Sequence, residues 1–368
     1  MRFVKWEDLR DGMRLARPIY NKSGVLLYER DARLTAASIE SVKNFGLLGI
    51  YILEPAEPLP PMSEEDLEFE RFEIKMVSQV QDEIERLLST GKQKNLPTIV
   101  SQIVRQYCYL DNKIHFYQNL RSKDDYIYRH MFNTAILCAM MASKMNISVE
   151  DRLLVITAAL IHDIGKAKSK SEAVYGGEVS YDERELLYED MLKGTEFIES
   201  AMGTDGIMLK RICSQAIHAQ MDFDKEIINP ARKMLKMSDI LMVASRYDEL
   251  TGMNLSGEAE SELKAVKELV DFPNWYNPDA VEALTGSIFI LFPGVSVELN
   301  TGEKALVISE NPKNILKPTV ISFKDNSILD LSSSENDDLY VVDVMKTLDN
   351  RYVMDKDQIS KMGVDVNA

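Results

Sequence analysis

The strongest constraint on the fold is a helical pattern of apolar residues that runs from about residue 67 to about residue 270. Apolar side chains recur there every three or four residues, which is the period of an amphipathic α-helix. Helix start signals interrupt the run, because Ser148 precedes one segment and Ser180 with Glu183 has the spacing of a capping box. The pattern predicts a mainly α protein with a central all-helical domain over residues 67–286.

Both ends of the chain have different patterns. Residues 1–53 contain two short strand signals around an Asn-Lys-Ser-Gly turn, then a helical segment and a further strand, which predicts a small N-terminal α/β unit. Residues 54–66 are Pro-rich and acidic, as in a linker. Residues 287–368 begin with alternating apolar residues around turn signals, so we expect a small C-terminal antiparallel β unit with a polar tail.

Charge and apolar content exclude several classes of partner. The chain has 368 residues and a formal net charge of −16, which argues against binding to DNA, RNA or an anionic membrane surface. Its apolar runs are too short to span a bilayer, and its first residues do not resemble a signal peptide. The three cysteines are widely separated and odd in number, so they predict no disulfide framework. We therefore expect a cytoplasmic protein.

The polar residues of interest lie singly on apolar helical stripes. There are only four histidines, and three of them have this setting, as do several aspartates. The candidates are His130, His162, Asp163, Asp190, His218 and Asp239. A buried carboxylate is costly unless it is paired or metal-bound, and a mixture of imidazole and carboxylate suits Fe, Mn or Zn. A single residue of this kind is usually a hydrogen-bonded or paired core position, which is how we interpret His115.

The order of these residues resembles a known family. His130, then His162-Asp163, then Asp239 is similar to the H…HD…D signature of the HD-domain metal-dependent phosphohydrolases. The segments YRHMFNTAIL, AALIHDIGK, DERELLYEDMLKGTEFIE and ARKMLKMSDILMVASRYDELTG are closer still to the HD-GYP subfamily, the bacterial cyclic di-GMP phosphodiesterases. The resemblance implies a first metal, Fe or Mn, held by those four residues.

The sequence also departs from the subfamily. Asp190 stands where the subfamily has a histidine four residues before a glycine, and His218-Ala219-Gln220 replaces a His-His-Glu triplet. The GYP loop is absent. The resemblance therefore implies one complete metal site and a second, depleted site that would share Asp163 and draw on His218 and Asp190.

The family chemistry gives roles to the remaining polar residues. A metal-bound hydroxide would attack the phosphodiester at a centre containing Asp163, while Lys166 and Arg246 would bind phosphate oxygens. Lys166 is equally compatible with an exposed cation near a helix end, and Arg246 with an ordinary salt bridge. A cyclic di-GMP phosphodiesterase is the first functional hypothesis.

Two alternatives stay open. One is a degenerate HD-GYP-like sensor or adaptor that binds metal or nucleotide with little turnover, and the other is an HD phosphohydrolase acting on a different nucleotide. Loss of half of the second site and of the GYP loop favours these two, whereas the retained H…HD…D order and Lys166 favour an enzyme. The long helix after the linker is a possible homodimer contact, and the N-terminal unit a possible docking site for a signalling partner.

Overall fold

A computed structural model describes residues 2–53, 64–116, 118–176, 179–229, 232–254, 259–311 and 313–345. Most of the predicted linker, residues 54–63, and the predicted polar tail, residues 346–368, lie outside this described part. The remaining linker positions, 64–66, belong to the first long helix.

The N-terminal unit is built on two small antiparallel sheets and one helix. Strands β1, β5 and β2 form a sheet in the order β1-β5-β2, in which Phe3 pairs with Tyr51, and β3 pairs with β4. The elements are β1 (Arg2–Lys5), β2 (Arg14–Leu15), β3 (Ile19–Tyr20), β4 (Leu26–Tyr28), α1 (Ala36–Asn44) and β5 (Gly49–Leu53). Thr35 begins α1 with a capping box to Ser38. The unit has its own apolar core, which includes Val4, Leu15 and Ile50.

A bundle of helices follows and contains most of the buried residues. Its members are α2 (Glu64–Thr90), α3 (Leu96–Tyr107), α4 (Tyr126–Lys144), α5 (Val149–Ile161), α6 (Tyr181–Ala201), α7 (Gly206–Asp224), α8 (Lys236–Thr251), α9 (Glu262–Asp271) and α10 (Pro278–Thr285). Helix α4 is buried on every side from residue 129 to residue 142, because α2, α5, α8 and α10 all pack against it. It is the central helix of the bundle, so polar groups on it lie deep inside the protein.

The C-terminal unit is a five-stranded antiparallel sheet in the order β10-β6-β7-β8-β9. Its strands are β6 (Ser296–Leu299), β7 (Lys304–Ser309), β8 (Thr319–Ser322), β9 (Ile328–Asp330) and β10 (Val341–Val344). Ser261 Oγ, at the start of α9, donates a 2.5 Å hydrogen bond to Asp343 on β10. The sheet is thereby attached to the helical bundle.

This architecture confirms the predicted fold class, a central all-helical domain between a small α/β unit and a small antiparallel β unit. The caps predicted at Ser148 and at Ser180 with Glu183 are present at the starts of α5 and α6. Within the described residues, no helix combines the length and apolar character needed to cross a membrane.

Candidate metal centre

The His-Asp pair lies where α5 ends. Ser148 begins this helix by accepting a hydrogen bond from the Asp151 amide, and His162 terminates it. The chain then turns tightly through Gly165, where an added Cβ would overlap the carbonyl oxygen of Asp190 on α6. A glycine is therefore required at this close approach, and the turn directs His162 and Asp163 into the bundle.

Three potential ligand atoms converge beside the central helix. His130 Nε2, from α4, lies 3.3 Å from His162 Nε2 and 3.5 Å from Asp163 Oδ2. His162 Nε2 lies 3.7 Å from Asp163 Oδ1. All three residues are buried, and one ligand atom from each lies within 4.8 Å of the others. The structure thus brings together three of the residues predicted to bind the first metal.

Hydrogen bonds fix the tautomers of both imidazoles. His130 Nδ1 lies 2.6 Å from Asp248 Oδ2, and His162 Nδ1 lies 2.7 Å from the Ala159 carbonyl oxygen. Each partner is an acceptor, so each Nδ1 carries a proton, and in the neutral ring each Nε2 presents a lone pair to the cluster. Burial also lowers the pKa of His162 despite the opposing effect of Asp163, which favours the neutral ring that a metal needs.

Asp163 supplies a buried, ionised carboxylate. Lys166 Nζ lies 2.8 Å from Oδ2, yet neither carboxylate oxygen accepts a hydrogen bond of ordinary geometry. Burial raises the pKa of Asp163, but Lys166 and the two histidines outweigh it and lower the pKa to about 2. A buried carboxylate paired with Lys166 and lying beside two imidazole nitrogens is a donor set that fits a cation.

The donor chemistry is consistent with a divalent transition metal. Two imidazole nitrogens and one carboxylate oxygen suit Fe, Mn or Zn. Two unprotonated nitrogens 3.3 Å apart repel each other unless a proton or a cation lies near both. The residues present therefore fit a metal ion, and His130, His162 and Asp163 would hold it.

Asp248 supports this cluster from behind. Its side chain is fully buried on α8 and contacts His130, Arg121, Gln118 and Asn133, all within 2.6–2.9 Å. Burial raises the pKa of Asp248, but Arg121 and His130 outweigh it and hold the pKa below its ordinary value. A carboxylate that holds the second nitrogen of a metal-binding histidine fixes the ring orientation.

A hydroxyl lies at the open side of the cluster. Ser245 Oγ, one turn before Asp248, is 3.2 Å from His130 Nε2 and 3.4 Å from His162 Nε2. A neutral hydroxyl is a weaker ligand than a carboxylate, because it brings no charge to neutralise the cation. Helix α8 thus contributes Ser245 at the position where the sequence analysis expected Asp239.

Asp239 requires a correction. It lies in the first turn of α8, where it accepts a 2.9 Å hydrogen bond from Asn277 Nδ2, and burial raises its pKa to about 6. Asp248 lies nine residues after Asp239, and at about 100° per residue this separation places them on opposite faces of the helix. The structure therefore does not bring Asp239 into the cluster.

The predicted second site is also corrected. His218 is exposed on α7, and its Nδ1 donates a 2.7 Å hydrogen bond to the Ser214 carbonyl oxygen. The Asp190 carboxylate lies 3.4 Å from Lys193 Nζ, beside a separate cavity of about 160 Å³. Because Gly165 and Gly194 let the α6 backbone rest on the turn after α5, Asp190 meets that turn with its backbone. Neither residue reaches the cluster.

Lys166 and Arg246 lie beside the cluster but are already paired. Lys166 is buried between Asp163 and Glu249, at 2.8 and 3.2 Å, so it is not the exposed cation considered above. Burial lowers its pKa, but these two acids outweigh it and raise the pKa above the ordinary value. Arg246 Nε forms a 2.7 Å salt bridge with Glu268.

The cluster forms the floor of a cavity of about 640 Å³. This volume is within the roughly 300–1,000 Å³ of small-molecule sites. Asp224 organises one wall, because it accepts hydrogen bonds from Tyr188 Oη at 2.6 Å and Arg184 Nη1 at 2.8 Å. Apolar side chains such as Leu187 and Met242 line other parts of the cavity.

Sequence reasoning missed Ser245, Asp248, Arg121 and Gln118. Asp248 carried a usable signal, since it shares one face of α8 with Leu241, Ala244 and Thr251 and is thus an acid on a buried stripe. Arg121 and Gln118 lie in an irregular segment before α4, where periodicity gives no information.

One comparison with known proteins, a match to a family model, agrees with this geometry at the level of the domain. Residues 127–253 match the HD domain family. No curated protein matches the sequence significantly. Among solved structures, the chain is similar to Bd1817, an HDG"Y"P protein from Bdellovibrio bacteriovorus, with 16% sequence identity and a TM-score of 0.46, over 77% of this chain and 97% of that chain.

The matched residues contain α4, α5 and α8, which are the helices that carry or precede His130, the His162-Asp163 pair and Ser245. HD domains bind divalent metals, and the buried cluster offers donors for one. Residues 127–253 of this chain are therefore similar to HD domains, and the helices in this range carry the buried cluster.

Proposed function

We propose that this protein binds one divalent transition metal, Fe or Mn, and hydrolyses a phosphodiester of a cyclic dinucleotide, with cyclic di-GMP as the first substrate to test. One observation carries the proposal. The buried carboxylate of Asp163 and two imidazole lone pairs converge on the floor of a cavity large enough for a small ligand. The HD domain match supports the coarser statement of a metal-dependent phosphohydrolase.

The chain's own residues have separable tasks in this proposal. When bound, the metal would supply a Lewis acid for phosphate oxygens and acidify a water molecule. His130, His162 and Asp163 hold it, and Asp248 keeps His130 in the Nδ1–H tautomer. Lys166 and Arg246 keep positive charge at the cavity, although each already has acidic partners.

A specific observation favours a second candidate, a sensor that binds metal or nucleotide with little turnover. Ser245 brings a neutral hydroxyl to the open side of the cluster, and Asp190 and His218 do not reach it. Lys166 also competes with a metal for the Asp163 carboxylate. A weakly held single ion would support binding more readily than rapid hydrolysis.

Chromatography separates these candidates. Mn²⁺-loaded protein is incubated with cyclic di-GMP, and we expect the linear dinucleotide or GMP to accumulate with wild type but not with Asp163→Asn. Cyclic di-GMP that binds by calorimetry yet stays intact supports the sensor. A panel of nucleoside monophosphates is tested in the same way. If one of them is hydrolysed while cyclic di-GMP stays intact, the result supports an HD phosphohydrolase of different specificity.

The metal itself is tested by elemental analysis of purified protein. We expect about one equivalent of Fe or Mn, or its acquisition on loading, because the cluster offers three donors to one ion. Asp163→Ala should abolish it by removing the only negative ligand of the three. Wild-type protein that holds no transition metal after loading contradicts the proposal.

A further inference from the structure

The segment 118–122 joins the N-terminal unit to the helical domain. On one side, its backbone accepts hydrogen bonds from the N-terminal unit. Arg17 Nη1 donates a 2.8 Å hydrogen bond to the Gln118 carbonyl oxygen. The Leu48 amide donates a 3.1 Å hydrogen bond to the Arg121 carbonyl oxygen. These contacts fix the backbone of the segment relative to the sheet that contains β5.

On its other side, the same segment holds Asp248. Gln118 Nε2 donates a 2.8 Å hydrogen bond to Asp248 Oδ1, and Arg121 Nη2 donates a 2.7 Å hydrogen bond to Asp248 Oδ2. Arg121 also donates 2.9 Å to Gln118 Oε1, so the two side chains act as one unit. Arg121 is fully buried, and a Cβ at Gly252 would collide with its guanidinium group. The segment therefore has little freedom to move without moving Asp248.

Asp248 transmits this placement to the cluster. Its Oδ2 accepts from both Arg121 and His130 Nδ1, at 2.7 and 2.6 Å. The position of this oxygen sets the orientation of the His130 ring and hence the position of its Nε2 lone pair. One carboxylate oxygen thus separates the segment held by the N-terminal unit from a candidate metal ligand.

We propose that Gln118 and Arg121 are positioning residues of the metal centre, and that Arg17 of the N-terminal unit holds them in place. The metal-affinity part of this inference rests on the proposed function, because it assumes that the cluster binds an ion. Displacing the segment would misorient His130 and weaken the centre from outside it. The N-terminal unit is then part of the scaffold of the site, in addition to any role in docking.

The experiment uses the full-length chain and Mn²⁺ alone. Arg17→Met removes the donor to Gln118 together with the cation 3.7 Å from Glu70, Arg17→Lys restores both a donor and a cation, and Arg121→Met removes the contact with Asp248. Arg14→Met is the matched control, since Arg14 lies in the same unit and forms a 2.7 Å hydrogen bond with Asp31 there. We expect Arg121→Met to weaken Mn²⁺ binding about tenfold or more, Arg17→Met to weaken it severalfold, and Arg17→Lys and Arg14→Met to bind like wild type.

A second measurement needs no metal. The chain has only four histidines, so ¹⁵N-imidazole NMR can follow each ring in the metal-free protein. We expect a His130 Nδ1–H resonance that exchanges slowly with water in wild type and Arg14→Met. It should exchange faster in Arg17→Met, with the His115 and His218 resonances unchanged.

The two measurements distinguish the possible failures. If wild type binds no Mn²⁺, the proposed function fails, while the His130 resonance still tests positioning. If Arg17→Met leaves both the His130 resonance and the Mn²⁺ affinity unchanged, the inference is overturned. If Arg121→Met does not fold, Arg17→Met and Arg17→Lys decide the question, because rescue by lysine is not expected from loss of packing alone.

Discussion

Individual side chains decide how strongly the cluster can hold a cation. Two imidazoles and a single carboxylate face one point, and a serine hydroxyl faces it from α8. The carboxylate is shared with Lys166, which neutralises it in the absence of a metal. The balance between the metal and this lysine is therefore the main energetic question at the site.

Ser245→Asp is expected to strengthen metal binding. The substitution places a negative charge beside both Nε2 atoms, which lie 3.2 and 3.4 Å from the present hydroxyl. A gain of about tenfold in Mn²⁺ affinity corresponds to about 1.4 kcal/mol. Calorimetric titration measures it, and Ser245→Asn, of the same shape but uncharged, is the control. Equal affinities in the two variants would show that Ser245 does not border the bound ion.

Asp248→Asn is expected to weaken metal binding, although Asp248 is not itself one of the proposed metal ligands. Asparagine cannot accept from His130, Arg121 and Gln118 together, so the His130 tautomer loses its support. Loss of such a partner costs roughly 10–100-fold in metal affinity. The substitution also leaves the buried Arg121 without its acidic partner, which should lower the free energy of unfolding by about 3–5 kcal/mol.

Metal content and urea denaturation measure the two effects of Asp248→Asn separately. Asp224→Asn is the matched control, because Asp224 belongs to the cavity wall and bonds to Tyr188 and Arg184. Undiminished affinity in a folded Asp248→Asn protein would refute the supporting role.

At the scale of elements, the sequence predicted those parts of the fold whose signals are local. The helix starts at Ser148 and Ser180 were predictable because a capping side chain bonds to a backbone amide three residues away. The turn residues of the terminal units were equally local. The sequence could not predict which acid of α8 faces the cluster, because Asp239 and Asp248 both lie on apolar stripes and only tertiary packing distinguishes them.

The same limit explains the other errors. Asp190 has helical spacing compatible with a ligand, but the close contact at Gly165 and Gly194 places its backbone against the turn after α5. Arg121 and Gln118 reach the site from an irregular segment, and their partner Asp248 lies more than a hundred positions along the chain. Contacts of this kind leave no periodic trace in a sequence.

Helix α2 carries a buried acid that should make stability depend on pH. Burial raises the pKa of Glu73 to about 8, with Arg129 lowering it and Glu70 raising it further. The folded state therefore retains a proton that the unfolded state releases above its ordinary pKa of 4.5. The free energy of unfolding should fall as the pH rises from about 5 to about 8.

Glu73→Gln should remove this part of the pH dependence. In wild type it is a change of roughly a few kcal/mol in the free energy of unfolding between the two pH values. Urea denaturation at the two pH values measures it. Glu85→Gln, on the exposed side of the same helix, should retain the wild-type slope. A wild-type slope in Glu73→Gln would mean that Glu73 is ionised in the folded protein.

At the scale of the whole molecule, charge restricts the range of partners. With a formal net charge of −16, the chain should repel polyanions over most of its surface. We expect no measurable binding of duplex DNA or single-stranded RNA at physiological salt by fluorescence anisotropy. Saturable binding that weakens with salt would reveal a local cationic surface and contradict this prediction.

The contact of α6 with the turn after α5 also limits the shape of the cavity. At Gly165 and Gly194 the two backbones meet without any intervening side chain. An added methyl group at either glycine would overlap backbone atoms, so it would push apart the turn and the helix that presents Arg184 and Tyr188 to the cavity. This wall of the cavity therefore keeps its position only while both residues are glycine.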